Sequence, residues 1–342
     1  MNISKKHWGS VGGKDVYLFR LENSIGNYVE ITNYGGCVVS INVPDKEGSV
    51  QNVVLGFNSL EGYLQDRCYI GATLGPFANR IANARFTMDG IDYLLEANDG
   101  VNTNHSASAG FNNKVFDYLL TNESLILKYL RPDMDGGYPG NLSVEVGYRW
   151  TDEQELKISF KALTDKKTVV NLSNHCYFNL SGTAKKIFDH RLSIYAGSVI
   201  EAGDDYIPTG RIVEAAEIAF QDSRIVDRMT AMQSHIQGLN VCYVLDGYEA
   251  KKEVCAGILT ERSSGRMLTV YTSYPGLLLY TGSYLDSNRP GKHGINYQPF
   301  DGLCLECQYF PNSPNQANFP STVLLPAEVY EASITYQFNT LK

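Results

Sequence analysis

Four stretches of the chain place polar or titratable side chains inside sequence that is otherwise apolar or small, and together they hold the means for proton transfer. GATLGPFANRIANARF, residues 71–86, sets Asn79 and Arg80 among small and apolar neighbours. NTNHSASAGFNNKVF, residues 102–116, carries His105 in a polar loop. VVNLSNHCYFNLSG, residues 169–182, holds His175 between Asn174 and Cys176, and GLCLECQYFPNSPNQ, residues 302–316, has Glu306 interrupting an apolar strand. An unpaired carboxylate is costly to bury, so a Glu in such a strand is either paired or functional. Arg80 is a candidate counter-ion for it. A lone histidine in a strand is more often a satisfied core or loop residue, and His7, His190, His235 and His293 are read that way. A carboxylate and an imidazole in one site, however, supply a general base and a general acid that work near neutral pH.

Cysteine usage does not favour a metal. Of the seven cysteines none forms a paired CxxC array. Cys304 and Cys307 lie three apart in LCLECQYF, where strand alternation sends them to opposite faces. Buried reduced thiols in a reducing compartment are the expectation. The start, MNISKKHWGSVGG, lacks the apolar core of a secretory signal, and no stretch approaches the ~18 apolar residues of a membrane-spanning helix. These features predict a cytoplasmic protein. A net charge of -8 argues against nucleic acid and anionic membrane as partners. The pairs Lys5-Lys6, Lys166-Lys167, Lys185-Lys186 and Lys251-Lys252 read as solvated turns.

The elements that must position these residues are strands. In LSVEVGYRW, Leu142, Val144, Val146, Tyr148 and Trp150 alternate with more polar or smaller residues. Leu156, Ile158, Phe160 and Ala162 do the same in ELKISFKAL, as do Ala332, Ile334, Tyr336 and Phe338 near the C-terminus. Period-two patterning of this kind marks half-buried antiparallel strands, and clusters such as Asp135-Gly136-Gly137 and Ser263-Ser264-Gly265 mark the turns between them. Helical periodicity is confined to short pieces, for example around residues 212–236. With no linker and no fixed-period repeat in 342 residues, the expectation is an all-β fold. It is one large antiparallel β-sandwich with a few short helices, a single domain over residues 1–342.

Taken together, the four stretches resemble the aldose 1-epimerase (galactose mutarotase) family. ITNYGGCVVSINVPDKEG (31–48), VVLGFNSLEGYL (53–64), DGGYPG (135–140), YIPTGR (206–211) and YTSYPGLLLYTGS (271–283) extend the resemblance, in order, over roughly residues 10–340. The resemblance implies the galactose mutarotase-like supersandwich and the interconversion of the α and β anomers of a free aldohexose, galactose or glucose. It implies Glu306 as general base and His175 as general acid, with Arg80, Asn79 beside it, His105 and Asn240 binding the sugar. Tyr177 or Phe178 would supply an apolar wall, though alternation sends only one of the two toward it. The chemistry requires no cofactor and no metal, and the partner is a monosaccharide bound by a monomer or homodimer.

One position departs from the family pattern. GLNVCYVLDG has Asn240 where an Asp is usual and Val241 where a His is usual. A hydrogen bond to a charged acceptor is worth roughly 1.5–3 kcal/mol and a neutral one about 0.5–1.5, so the exchange costs several-fold in affinity or rate. Smaller departures are Asn104, Ser106 and Ala107 beside His105, and Pro76 in place of an Arg. A non-catalytic sugar-binding sandwich and an epimerase for another saccharide are the competing readings.

Overall fold

The computed structural model describes residues 2–231 and 238–341. Patterning in the sequence becomes strand structure in the same places. LSVEVGYRW is the strand Leu142–Trp150, with Leu142, Val144, Val146, Tyr148 and Trp150 buried. It pairs antiparallel with Glu155–Thr164, which pairs in turn with the long C-terminal strand Tyr330–Thr340. These three sit inside a nine-stranded sheet running from Asp117–Leu120 at one edge to Ser223–Arg224 at the other.

A six-stranded sheet packs against it. Its order is Tyr177–Phe178, Leu303–Gln308, Gly276–Tyr280, Asn240–Val244, Ser198–Ala202 and Pro208–Glu214. Where the sheets meet, the Phe178 ring lies 4.9 Å from that of Tyr336, and Tyr336 Oη donates to Leu305 O at 3.4 Å. One continuous apolar core runs through both sheets, taking in Leu277, Leu279, Leu303 and Leu305 from one and Val146, Leu156, Ile334 and Phe338 from the other. Each such side chain contributes about 1.5–3 kcal/mol on burial. A five-stranded meander, Asn2–Val11 through Val50–Asn52, flanks the pair. Lys5 and Lys6 lie within its first strand and not in a turn.

The described part of residues 212–236, through Ala231, is less helical than the periodicity predicts. Residues 212–214 close the strand Pro208–Glu214, where Ile212 pairs with Ile200, because a sheet edge was available to satisfy the backbone. A 3-10 turn at Ala216–Ile218 and the helix Ile225–Ala231 follow, and residues 232–237, His235 among them, lie outside the described residues. Among the described residues the other α-helix is Leu60–Leu64. Among the described residues no helix is long and apolar enough to cross a membrane. The loop DGGYPG is held by Arg131, which is fully buried and donates to the carbonyls of Pro132, Asp135, Tyr138, Pro139 and Gly140.

Candidate active site

The floor of the site is one face of the six-stranded sheet. Along the fully buried strand Leu303–Gln308, alternation sends Leu303, Leu305 and Cys307 into the core between the sheets, leaving Cys304 and Glu306 on the opposite face. Register then aligns residues across the strands: Tyr177, Cys304, Tyr280 and Asn240 form one row, and Glu306, Leu278 and Cys242 the next. Tyr177, not Phe178, faces the cavity, as alternation requires. Cys304 and Cys307 fall on opposite faces, and all seven cysteines are free.

Loops supply the remaining groups. His175 follows the two-residue strand Ser173–Asn174, which pairs with Thr73–Leu74. Its N–H donates to Ala72 O at 2.9 Å and its carbonyl accepts from Gly71 N–H at 3.0 Å. Gly71 has φ +71°, and a Cβ there would lie 2.2 Å from Val38 O, so only glycine lets this loop pack so closely. His105 ends the pairing of Thr103–Asn104 with Arg80–Ile81. It donates its N–H to Asn79 O and accepts from Asn79 N–H at its own Nδ1, both at 3.1 Å. Left-handed backbone at His105, Ser106, Ala107, Asn79 and Tyr69 clusters around this corner. Such strain costs on the order of 1–3 kcal/mol per residue and concentrates where a loop must deliver side chains to a site. Tyr69 is held in place by Asp66, whose carboxylate accepts from the N–H groups of Cys68 and Ile70 at 2.9 and 2.6 Å.

These elements enclose a cavity of about 710 Å³, into which Glu306, His175, His105, Arg80, Asn79 and Asn240 all open. The six residues expected from the sequence thus line one space. His175 Nε2 lies 3.6 Å from Glu306 Oε1, with both side chains at most 5% exposed. Burial drives the Glu306 carboxyl up to about 8, an effect the nearby Arg80 charge partly opposes, and drives the His175 imidazole down to about 4. His105 is held well below the usual histidine range, chiefly by burial and then by the His175 and Arg80 charges. Glu306 Oε2 is buried without a hydrogen-bond partner among the described residues, as a base kept free for a ligand would be.

Arg80, a candidate counter-ion for Glu306, pairs directly with another carboxylate. Its Nε donates to Asp99 Oδ2 at 2.7 Å, and its guanidinium sits 4.9 Å from the centre of the Tyr206 ring. Asn79 spends its backbone on His105 and its Oδ1 on the Arg80 N–H at 2.8 Å, so it positions both of its neighbours. Tyr69 covers the histidines, its ring 4.6 Å from that of His105 and 5.9 Å from that of His175.

One ring nitrogen from each of His105 and His175 and a Glu306 carboxylate oxygen lie within 4.8 Å of one another, the donor set of a His₂-carboxylate metal site. The hydrogen bonding does not fit a metal. His105 Nδ1 accepts from a backbone N–H, so the neutral ring carries its proton on Nε2. That nitrogen is a donor turned to the cavity rather than a lone pair.

Asp99, Tyr69 and Tyr206 carry no signal as single residues in the sequence, and Cys304 reads there only as a buried thiol. Asp99 lies in an exposed, polar loop that carries no pattern, and its importance comes only from the contact with Arg80. Tyr206 and Tyr280 do fall within YIPTGR and YTSYPGLLLYTGS, so the resemblance held a signal for them.

A family model for aldose 1-epimerases matches residues 17–337. The chain is 38% identical over 330 residues to the galactose mutarotase of Mus musculus, covering 96% of this chain and 95% of that one. It is 32% identical over 334 residues to the aldose 1-epimerase of Escherichia coli, covering 95% and 96%. Among solved structures, an aldose epimerase homologue from C. elegans superposes with a TM-score of 0.88 at 27% identity, over 95% of this chain and 99% of that one. A galactose 1-epimerase from Lactobacillus acidophilus gives 0.85 at 26%, over 100% and 99%. On the match to that model over nearly its whole length, the chain belongs to the aldose 1-epimerase family.

Proposed function

We propose that this protein interconverts the α and β anomers of a free aldohexose, galactose or glucose, with Glu306 as base and His175 as acid. The observation that carries the proposal is the buried pair itself: an imidazole and a carboxyl 3.6 Å apart at the floor of a polar cavity. Glu306 takes the proton of the anomeric hydroxyl while His175 Nε2 gives one to the ring oxygen. The C1–O5 bond breaks, its electrons go to O5, and C1 becomes the aldehyde. Rotation about C1–C2 presents the other face, and the two groups exchange roles on closure. No cofactor and no metal takes part in these steps.

Proton bookkeeping suits a reversible reaction. Neutral His175 with protonated Glu306, and imidazolium with carboxylate, contain the same number of protons. Between about pH 4 and about 8 the pair therefore holds the count that the reactive ion pair needs. Sugar hydroxyls, with the Arg80 charge close to Glu306, favour the charged form by solvating it. His105 Nε2–H and Arg80 donate to sugar oxygens, Tyr177 and Tyr280 wall the ring, and Asn240 meets a hydroxyl at the cavity's side. Asp99, Asp204 and Asp205 on the cavity lining disfavour a phosphorylated sugar.

The seven free thiols suit a reducing cytoplasm. In this reading the protein works as a monomer or homodimer. Polarimetry on freshly dissolved α-D-glucose and α-D-galactose tests the function. Wild type should speed equilibration well beyond buffer, and Glu306→Gln should remove most of that acceleration; equal rates for both and for buffer would end the proposal.

A further inference from the structure

His175 becomes an imidazolium in every cycle of the proposed reaction, and it does so as a buried side chain. A buried cation is costly unless its surroundings answer it. Glu306 Oε1 lies 3.6 Å from Nε2, Cys304 Sγ lies 3.4 Å from Nδ1, and the ring's own backbone carbonyl is within reach. Arg80 adds a like charge to the same cavity. The other neighbours are aromatic. Tyr69 and Tyr177 lie nearly parallel to the imidazole, with ring centres 5.9 and 5.0 Å away and planes inclined by 28° and 33°. His105 and Tyr280 stand steeply to it, at 5.5 Å and 72° and at 6.4 Å and 78°. A cation within about 6 Å of a tyrosine ring centre is drawn to the negative face of the ring, most strongly where water is excluded.

We propose that Tyr69 and Tyr177 are positioning residues that cage His175 and stabilise its imidazolium, the form that gives a proton to the ring oxygen. The inference rests on the reading of His175 as the acid. The two tyrosines are tied together. Tyr177 Oη donates to Cys68 O at 3.0 Å, so the strand that carries one ring holds the loop that carries the other. Asp66 fixes the same loop by accepting from the Cys68 and Ile70 N–H groups. Burial drives the His175 imidazole down, and the aromatic faces oppose that drift without adding a fixed negative charge. A second carboxylate in their place would hold the ring permanently charged. The weaker pull of a tyrosine face lets the proton leave. It raises the share of the imidazolium–carboxylate pair before the sugar ring opens, and it makes the neutral imidazole a better base when the sugar ring closes. Both directions of a reversible reaction gain.

The test weakens the aromatic face at position 69 while hardly changing its size. Tyr69→Phe is the reference, and phenylalanines bearing progressively more ring fluorines, placed there by stop-codon suppression, form the series. By polarimetry, kcat should fall with each added fluorine, in all about two- to tenfold, the worth of one cation–π contact. The acid limit of kcat/KM should move to lower pH along the series, because a less stabilised imidazolium gives up its proton more readily. Tyr69→Leu, which keeps apolar bulk without a ring, should fall at the far end of the series. If kcat and the acid limit are both indifferent to fluorination, the cage is overturned while His175 remains the acid. If His175→Gln turns over as fast as wild type, the reading of His175 itself fails.

Discussion

Replacing Glu306 by Gln should stabilise the protein while it disables it, and the gain should grow with pH. The carboxyl is raised from 4.5 to about 8 by burial. A group whose folded pKa is raised stabilises the folded state below its unfolded pKa, and that contribution is lost as pH rises through the folded pKa. Each pH unit in that window costs about 1.36 kcal/mol. The penalty is under about 1 kcal/mol at pH 5, roughly 3 at pH 7 and between about 4 and 5 at pH 9. Glutamine fits the same space and does not titrate, so the variant escapes this slope. With an unfolding entropy of ~2.1 cal/mol/K per residue, the chain's ~0.7 kcal/mol/K turns the change between pH 5 and 9 into about 5 °C. Calorimetry on both proteins across that range measures it, and the Tm of Glu306→Gln minus that of wild type should climb steadily. Parallel curves would refute the reasoning, because they would mean that the folded and unfolded carboxyls titrate alike.

The pH dependence of kcat/KM for wild type should show a plateau bounded near 4 and near 8, the limits within which the His175–Glu306 pair holds one transferable proton. Asp99→Asn removes the carboxylate that pairs with Arg80. The guanidinium charge then acts on Glu306 unopposed and lowers its pKa, so the alkaline limit should move to lower pH, and stopped polarimetry across a buffer series will show the direction. Asn240→Asp returns a charged acceptor to the cavity's side and should raise kcat/KM several-fold, the equivalent of about 1 kcal/mol, for the sugar whose hydroxyl it meets. Comparing galactose with glucose in that variant identifies which hydroxyl this is.

Much of the fold was legible because burial leaves a period of two in a strand. Leu142–Trp150, Glu155–Thr164 and Tyr330–Thr340 stand where alternation places them. Glu306 was legible for the opposite reason, as a charge where the pattern demands an apolar residue. Residues 212–214 misled because Ile212 and Val213 suit a helix face as well as an edge strand, and tertiary pairing with Ile200 and Val199 decided the matter. The partner of Arg80 could not be read because Asp99 reaches it through a loop fold, and loops carry no period. Cys304 was seen only as a buried thiol. Its contact with His175 depends on how the loop after Ser173–Asn174 packs onto the sheet, which brings together residues 129 positions apart in the chain.

The site is built in two mechanical halves. Glu306, Tyr177, Tyr280 and Asn240 ride on strands of the six-stranded sheet, whereas Tyr69 and His105 come from loops with left-handed backbone and Arg80 from a two-residue strand next to the left-handed Asn79. Opening the loop half for a sugar to enter or leave would cost far less than disturbing the ladder, and it would relieve left-handed residues as it did so. Amide exchange should accordingly be slower along residues 303–308 than across 98–107. Traffic through the cavity would then be governed by the wall outside the main sheets, while the base beneath stays in register through every turnover.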